Sequence, residues 1–497
     1  MTTPSTATTA LARPEAVRTA RRRATLLASI ATLGPFFYGF EGMVLNGAIK
    51  AVGSEFTLGE LAKGVAGAAS IIGGFIGAVF AGRISDKVGR RTVLTWVGPF
   101  LLFEAVLGAM SPWLGGYPFL LLCRVVGGIG FGAATTVAPG YVAEIAPADI
   151  RGRLIGFRQL AIILGLFLAG LINLAVSQVA GSSDAVWALG LKAWQWMFLC
   201  LLIPALVYIL ATLRIPESPR YLASVGRDDE AAQVLASVTG EGEEQVAERV
   251  AAVHASLGAA SSRMSVRQIL SSRWASLVWV GVAIAAFQQL TGINGVFFYS
   301  NSLFQAVGFT EDMALAQTLL ITGFKIVGVV TGIMLVDRVG RKRMLIYGGT
   351  LIFLSLAVVA TVFTIAPVVN GKPDVADNPV LGFLAVTALC CFLLGFTSSW
   401  GPIFSIVMGE MFPIQIRGGA MSITSGADFL VNFLVVLLFP YLIAWSPAGT
   451  YWTYCAFGVL AVLFTARFLT ETSGRQLEDM DRDDPPAAHH PLERRPP

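Results

Sequence analysis

Long apolar runs separated by short polar segments follow one another along almost the whole chain. Each run holds about 20 mostly apolar residues, the length that a helix needs to cross a bilayer. The pattern predicts an all-α membrane protein with twelve transmembrane helices. The twelve runs are 25–47, 61–83, 92–110, 117–143, 154–177, 194–214, 275–304, 314–336, 344–366, 380–408, 420–442 and 450–470.

The polar segments after corresponding runs repeat between the two halves of the chain. The matching pairs are GRISDKVGRR at 82–91 with VDRVGRKR at 336–343, EIAPADIRG at 144–152 with EMFPIQIRG at 410–418, and IPESPR at 215–220 with TETSGR at 470–475. Such duplication is typical of secondary transporters, whose solute site lies between the repeats near the middle of the bilayer. We therefore expect two six-helix bundles related by an internal repeat.

The domain boundaries follow from this order. We expect a disordered N-terminal tail at 1–24, a first bundle at 25–214, a cytoplasmic linker at 215–273, a second bundle at 274–472 and a cytoplasmic tail at 473–497. Apolar residues at helical spacing predict short helices in the linker, and a solvated connection is the alternative.

Composition and charge agree with a multi-pass membrane protein. Only 13% of the residues are charged, against about 25% in soluble domains. The net charge of +4 needs no nucleic-acid partner, because arginines concentrate in the loops expected to face the cytoplasm. This distribution places the chain in the cell membrane with both termini cytoplasmic. The five cysteines lie in apolar runs and the three histidines in polar segments, so we expect no metal site, cofactor or enzymatic activity.

The densest group of polar side chains inside a predicted span lies in FQQLTGINGVFFY, residues 287–299. We expect Gly292 and Gly295 to break the helix there. Amides donate and accept hydrogen bonds without charge, which suits a hydroxyl-rich solute. Polar groups inside a span usually face a cavity or a partner. The stretch predicts a solute site that contains the amides Gln288, Gln289 and Asn294.

Trp400 precedes Gly401 and Pro402 in the tenth span. An indole can stack on the apolar face of a sugar ring and donate one hydrogen bond. Proline favours a kink at this point. The alternative is a tryptophan packed in the core.

Glu41 in the first span and Arg124 in the fourth are candidates for proton coupling. A charged carboxylate inside the bilayer costs about 2.5–3.5 kcal/mol on the insertion scale. We therefore expect Glu41 to be paired with Arg124 or to be protonated for part of the time. A carboxylate that alternates between a proton and an arginine can couple proton flow to solute movement. A static ion pair is the alternative.

Two further charges, Lys325 and Asp428, lie inside predicted spans. Helical rise from Asp337 and Gly418 places them about 18 and 15 Å from the inner surface, and we expect them to pair. The pair would bind a charged solute, relay a second proton or brace the second half. Arg158 lies about 10 Å from that surface, where it snorkels to the interface or lines the cavity.

The charged residues at the inner ends of the spans predict a cytoplasmic gate. Carboxylates recur at fixed spacing beside arginines in both halves, so ion pairs would latch the halves together and break on opening. Simple topology signalling by loop arginines is the alternative. The proposed gate residues are Asp86, Arg90, Arg91, Glu144, Arg151, Asp337, Arg338, Arg341, Glu410 and Arg417.

The fourth span contains GGIGFGA at 127–133. A dinucleotide-binding fingerprint of this kind would require a preceding strand, whereas this segment lies in an apolar run. Its small residues instead predict close packing between helices.

With these motifs in place, the chain resembles the sugar porter family of the major facilitator superfamily over about residues 25–478. The resemblance rests on GRISDKVGRR, RVVGGIGFG, PGYVAEIAPADIRG, PESPRYL, QQLTGIN, VDRVGRKR, SWGPIF, GEMFPIQIRG and ETSGRQLE. It implies alternating access around a central monosaccharide or polyol site. It also implies that Glu41 takes the position at which proton symporters of the family carry an acid. The implied solute contacts are Gln159, Gln288, Gln289, Asn294 and Trp400.

The chain departs from the family pattern at several positions. Lys325 and Asp428 stand where asparagine and an amide are usual, Phe429 replaces a common tryptophan, and Leu166 replaces a glutamine found in several bacterial members. The C-terminal motif reads TETSGR rather than PETKGR. The pocket has therefore gained charge, which adds Lys325 and Asp428 to the candidate solute contacts.

Four functions follow as hypotheses. The first is proton-driven uptake of a neutral monosaccharide or polyol by a monomer in the lipid bilayer, with the proton gradient as the energy source. The second is symport of a charged metabolite such as a sugar acid, amino sugar or organic acid. A non-coupled sugar facilitator and a nutrient sensor on a transporter scaffold are further alternatives.

Overall fold

The computed structural model describes residues 14–146, 148–259, 266–306, 309–369, 372–373, 375, 378–412, 416–469 and 471. Helices form nearly all of the described chain. A two-residue hairpin pairs Val368–Val369 with Lys372–Pro373 in antiparallel register between the ninth and tenth spans. Most of the predicted tails, 1–13 and 472–497, lies outside the described residues.

The first half holds spans one to six. The first five are the helices Pro14–Glu55, Glu60–Val88, Arg90–Ala109, Gly116–Ile145 and Ala148–Ala180. The sixth span consists of Ala193–Leu199 followed by Leu202–Thr212. A short helix, Ser111–Leu114, and a 3₁₀ turn, Ala188–Gly190, lie in the connections.

The second half holds spans seven to twelve, and two of these spans are interrupted. The seventh span is divided into Ala275–Leu290, Ile293–Phe298 and Ser300–Ala306, and the tenth into Pro379–Gly395, the π-helical turn Phe396–Trp400 and Gly401–Met411. The remaining spans are Glu311–Val339, Arg341–Ile365, Arg417–Trp445 and Pro447–Phe468.

Four shorter helices lie between the halves: Pro219–Ser224, Asp228–Thr239, Glu243–Ala259 and Val266–Leu270. The first three share a small apolar cluster that contains Leu222, Leu235 and Val246. The apolar positions that the sequence places at helical spacing therefore pack against one another.

Eleven helices in the described chain are long and apolar enough to cross a membrane, and they coincide with predicted runs two to twelve. The first run lies in the 42-residue helix Pro14–Glu55, whose hydropathy is lowered by polar residues such as Glu41 and Asn46. This helix packs along the fourth and fifth spans. With it the twelve-helix prediction is confirmed.

Glycines allow the second and fourth spans to approach closely. A side chain at Gly128 would overlap the backbone carbonyl of Ser70, and one at Gly132 would overlap the backbone of Gly74. Small residues allow the backbones of the second and fourth spans to come into contact, as the GGIGFGA segment predicts. The two halves meet where the second span packs on the eleventh and the fifth on the eighth.

Candidate functional site

The amide-rich stretch lies where the seventh span is interrupted. Gly292 adopts a left-handed φ of 81° between the helices that end at Leu290 and begin at Ile293. The ring of Tyr454 lies directly against it, so a side chain is excluded as well as strained. The predicted break at Gly292 is thus confirmed. The predicted break at Gly295 is wrong, because Gly295 lies inside the next helix, where it makes room for the ring of Phe439.

Four polar side chains form a hydrogen-bonded chain between the seventh and eleventh spans. Gln289 Nε2 donates to Asp428 Oδ1 at 2.7 Å, and Asn294 Nδ2 donates to Gln289 Oε1 at 3.0 Å. Asn294 Nδ2 also donates to Asn432 Oδ1 at 2.9 Å. The sequence interpretation missed Asn432, although an amide one helical turn after Asp428 was the available signal. The chain holds the amides in fixed orientations inside the second half.

Two other predicted amides keep unused hydrogen-bonding capacity. Gln288 Nε2 donates to the Trp400 carbonyl at 3.2 Å, while its Oε1 is buried without a partner. Gln159 in the fifth span is partly exposed and makes no hydrogen bond with the described chain. Gln159 can therefore bond an incoming solute in this conformation, whereas the unpaired Gln288 oxygen is covered and would need to become accessible.

Trp400 lies elsewhere than the sequence predicts. Its side chain is 0% exposed, and its Nε1 donates to the Leu345 carbonyl of the ninth span at 2.9 Å. The prediction that its indole stacks on a solute is wrong for this conformation, because no face of the ring is accessible. The alternative of a core tryptophan describes the structure.

Lys325 and Asp428 do not form the expected ion pair. The Lys325 ammonium lies 3.5 Å from the centroid of the Phe297 ring and has no carboxylate partner among the described residues. Asp428 is bonded to Gln289 instead. Equal depth in the bilayer does not make two residues neighbours, because each helix also has a rotation that depth leaves undetermined. Lys325 is nevertheless only 7% exposed, so it is a buried cation held by an aromatic ring.

Arg158 faces the interior rather than the membrane interface. It lies within Coulombic reach of Asp428 in the other half and of Tyr38 in the first span. Its Nε is buried without a hydrogen-bond partner. Of the two positions that the sequence leaves open for Arg158, the structure supports the cavity.

The predicted contact between Glu41 and Arg124 is present. Arg124 Nη1 lies 2.7 Å from Glu41 Oε1, and both side chains are almost completely buried. The same nitrogen lies 3.4 Å from Glu104 Oε1 of the third span. The sequence interpretation missed Glu104, although a glutamate in the apolar run LLFEAVLG was a visible signal. The site therefore contains two carboxylates and one guanidinium.

Hydrogen bonds join the two halves at the end of the spans that the loop charges predict to face outward. Asn46 Nδ2 of the first span donates to the Phe297 carbonyl at 2.6 Å and to Ser300 Oγ at 2.9 Å, and its Oδ1 accepts from the Asn301 backbone at 3.3 Å. We call this group the outer seal. The Tyr299 hydroxyl also donates to the Lys63 carbonyl, at 3.1 Å. The outer side of the molecule is thus closed in this structure.

Replacing Asn46 with alanine is expected to favour the state that is open to the outside. Loss of the two side-chain donations removes about 1–3 kcal/mol, which changes the ratio of the two states about 5- to 150-fold. Spin labels at the exposed extracellular positions Leu189 and Val368 would report a larger population of long distances between the halves.

Asn173→Ala is the matched control for the outer seal. Asn173 Nδ2 donates to the Met43 carbonyl at 2.6 Å within the first half, so its loss does not touch the contact between halves. Equal distance distributions for Asn46→Ala and Asn173→Ala would contradict the role of the outer seal.

At the opposite end of the spans, which the loop charges predict to be cytoplasmic, the ion pairs seen between described side chains each lie within one half. Arg90 pairs with Asp86 at 2.7 Å and with Glu144 at 3.1 Å, and Arg341 pairs with Glu410 at 3.1 Å. The latch between halves therefore stays a prediction for the state that is closed on this side. Arg91 donates to the Leu213 carbonyl at 2.6 Å, and Arg338 is exposed. The side chains of Arg151, Asp337 and Arg417 lie outside the described residues.

The sequence interpretation missed two further carboxylates at the end predicted to face the cytoplasm. Glu217 accepts from the backbone N–H groups of Arg90 and Arg91 at 2.8 and 3.0 Å. Glu471 accepts in the same way from Arg341, at 2.8 Å. Each carboxylate satisfies donors at the N-terminus of a span, where negative charge is favoured. The repeated IPESPR and TETSGR segments were the signal.

The chain matches the family described as "Sugar (and other) transporter" over residues 27–483. It is 37% identical to a glucose transport protein of Synechocystis sp., over 92% of this chain and 96% of the relative. It is 33% identical to the D-xylose-proton symporter of Escherichia coli K12, over 91% of this chain and 94% of the relative.

Solved structures of the Escherichia coli xylose transporter XylE have the same fold. A partially occluded inward-open form aligns with a TM-score of 0.76 at 29% identity, covering 90% of this chain and 100% of the other. A form bound to 6-bromo-6-deoxy-D-glucose aligns with a TM-score of 0.73 at 30% identity, covering 93% and 99%. The predicted fold and resemblance are confirmed, and the chain belongs to the sugar transporter family, the sugar porters of the major facilitator superfamily.

Proposed function

We propose that this protein imports a neutral monosaccharide or polyol together with a proton, by alternating access. The observation that carries the proposal is the buried contact of Arg124 with Glu41 at 2.7 Å. A membrane-buried carboxylate held by one arginine can exchange that partner for a proton. Two of the relatives are named as proton symporters, for D-xylose and for arabinose, which supports the same mode of transport here.

Glu41 also lies on the helix that carries the outer seal. Five residues separate Glu41 from Asn46, which corresponds to about 7.5 Å along the helix axis. A proton on Glu41 removes its attraction to Arg124 and frees the first span to shift against the fourth. The same shift changes the bonds of Asn46 to the seventh span. Protonation and opening to the outside are thereby coupled through one rigid element.

The amide groups supply the solute contacts in this proposal. Gln159 and Gln288 offer unused donors and acceptors, and Gln289 and Asn294 are held by Asp428 and Asn432. Fixed amides suit a solute that presents several hydroxyl groups, because each hydroxyl both donates and accepts. The buried Gln288 oxygen makes no hydrogen bond without a solute, which favours a ligand that can donate one.

The remaining parts of the proposal concern topology and assembly. We place the protein in the cell membrane as a monomer with both termini in the cytoplasm, and we retain the domain boundaries predicted from the sequence. The proton gradient is the energy source and no cofactor takes part. The cytoplasmic charges form their latch between the halves in the outward-facing state.

The experiment that tests the function is solute-triggered proton uptake by the purified protein in liposomes. D-glucose, D-xylose and myo-inositol are the neutral probes, with D-gluconate and D-glucosamine as charged ones. Alkalinisation of the medium on addition of a neutral probe supports the proposal. Solute flux without proton movement would leave a facilitator, and the absence of flux for every probe would favour a sensor.

A second candidate function is symport of a charged metabolite. Lys325 has no carboxylate partner in the described chain, and the Arg158 side chain lies within reach of Asp428 across the halves. Such charges can bind the carboxylate or ammonium group of a solute. In this case only D-gluconate or D-glucosamine would trigger proton uptake.

Replacing Lys325 and Asp428 together by asparagine distinguishes the two candidates. If the solute is charged, uptake of the charged probe falls at least about tenfold, because each lost charge-assisted hydrogen bond contributes about 1.5–3 kcal/mol. The control replaces the exposed residues Lys50 and Asp229 by asparagine. Unchanged solute selectivity in the test variant would reject the second candidate.

A further inference from the structure

Glu104 is a buried acid to which the function proposed above gives no role. It lies in the third span, is 0% exposed, and has Oε1 3.4 Å from Arg124 Nη1. That nitrogen is also the one that contacts Glu41 at 2.7 Å. Its second oxygen, Oε2, is buried without a hydrogen-bond partner. An ionised carboxylate in this position is unfavourable unless its charge is compensated, because burying an unpaired charge inside a membrane costs free energy.

The charges around Arg124 do not balance without a proton. Its other contacts are neutral: Nε donates to the Ala66 carbonyl at 2.7 Å, and Nη2 donates to Ser70 Oγ at 3.1 Å. Two ionised carboxylates and one guanidinium would leave a net charge of −1 in a site sealed from water. One bound proton makes the cluster neutral. Because both carboxylates compete for the same guanidinium, the proton belongs to the pair rather than to one residue.

The two carboxylates are held by different parts of the first half. The third and fourth spans pack along each other, and Gly127 leaves the space that the Glu104 carboxyl group occupies. Arg124 and Glu104 therefore form a fixed frame. Glu41 belongs to the first span, which contacts the seventh span of the other half through Asn46. Motion of the first span would change the Glu41 contact and leave the Glu104 contact in place.

We propose that Glu104 is the second carboxylate of the proton site, and this inference rests on the proposed function. A proton from the outside water binds the carboxylate pair and resides on Glu41 when the first span shifts Glu41 away from Arg124. Glu104 then remains as the partner of Arg124, which leaves the site neutral. Release of that proton to the cytoplasm restores two carboxylates against one guanidinium. The resulting excess negative charge favours binding of the next proton from outside. Glu104 thus keeps Arg124 neutralised while Glu41 is protonated.

The test compares Glu104→Gln with the wild-type protein and with Glu248→Gln, an exposed control on a cytoplasmic helix. In Glu104→Gln the ion pair of Glu41 with Arg124 is neutral without a proton, so the site binds the proton less readily. Half-maximal proton-driven uptake of D-glucose or D-xylose should move at least about one pH unit toward acid, and accumulation at pH 7 should fall at least about tenfold. Exchange of labelled for unlabelled sugar, which needs no net proton transfer, should continue.

Each outcome decides the proposal. A wild-type pH profile in Glu104→Gln overturns it, as does a parallel loss of exchange and accumulation with an unshifted profile, which indicates a structural role. If Glu104→Gln does not fold, Glu104→Asp decides: it keeps the charge but withdraws the carboxyl group from Arg124, so an unshifted profile again overturns the proposal. Failure of the proposed function is separate, because then the wild-type protein itself moves no protons.

Discussion

Glu41→Gln is expected to abolish uphill accumulation of the solute while exchange across the membrane continues. Glutamine forms a hydrogen bond with Arg124 but carries no transferable proton. A membrane potential of about 100 mV supplies about 2.3 kcal/mol per charge moved, which corresponds to roughly 50-fold accumulation in a one-proton symporter. We expect this ratio to fall to about one in the variant.

The measurement is the steady-state ratio of internal to external labelled sugar in liposomes with an imposed proton gradient. The counterflow of labelled against unlabelled sugar in the same vesicles shows that the protein is folded and inserted. Accumulation by Glu41→Gln that still depends on the proton gradient would remove Glu41 from the coupling mechanism. Glu248→Gln, at an exposed position in a helix between the two halves, is the matched control.

Gln289→Ala should raise the KM for the solute about 5- to 150-fold. The substitution removes an amide that contacts Asp428 and Asn294, so the solute loses a hydrogen bond to it and the two partners lose part of what fixes their orientation. An unmade buried hydrogen bond costs about 1–3 kcal/mol, which gives the range of KM. Initial rates of sugar uptake over a range of concentrations would measure it.

The comparison for this variant is Gln245→Ala, which removes the same group from an exposed cytoplasmic position. A KM equal to that of the wild-type protein in Gln289→Ala would exclude the hydrogen-bonded chain between the seventh and eleventh spans from solute binding. A loss of transport rate with unchanged KM would assign Gln289 to a conformational step instead.

The sequence was most informative where one physical constraint acts alone. The length of the apolar runs is set by the bilayer, and eleven of the twelve predicted spans meet the criteria for length and hydropathy in the structure. The expected break at Gly292 is confirmed, and its left-handed φ of 81° explains why glycine is needed there. Gly295 gave the same signal for another reason, since it makes room for Phe439. Glycine alone does not distinguish a backbone requirement from a packing requirement.

The candidate site was harder to predict because helix rotation and side-chain direction are tertiary properties. The similar depth of Lys325 and Asp428 in the bilayer predicts a contact between them. The rotation of each helix instead turns Lys325 toward Phe297 and Asp428 toward Gln289. Trp400 was assigned to the solute, but its indole nitrogen is bonded to the ninth span. Glu104 was visible as an acid in an apolar run, yet only the packing of three helices shows that it shares Arg124 with Glu41.

In the proposed mechanism Glu41 and Asn46 act through one helix, so the affinity of the site for protons and the strength of the outer seal depend on each other. By thermodynamic linkage, if binding of a proton changes the equilibrium constant for opening by some factor, opening changes the affinity for protons by the same factor. An antibody fragment that holds the extracellular loops together would therefore shift the equilibrium between the open and closed states, as a change of pH does. Conversely, a change in the pH of the medium would change the fraction of molecules whose outer face is open.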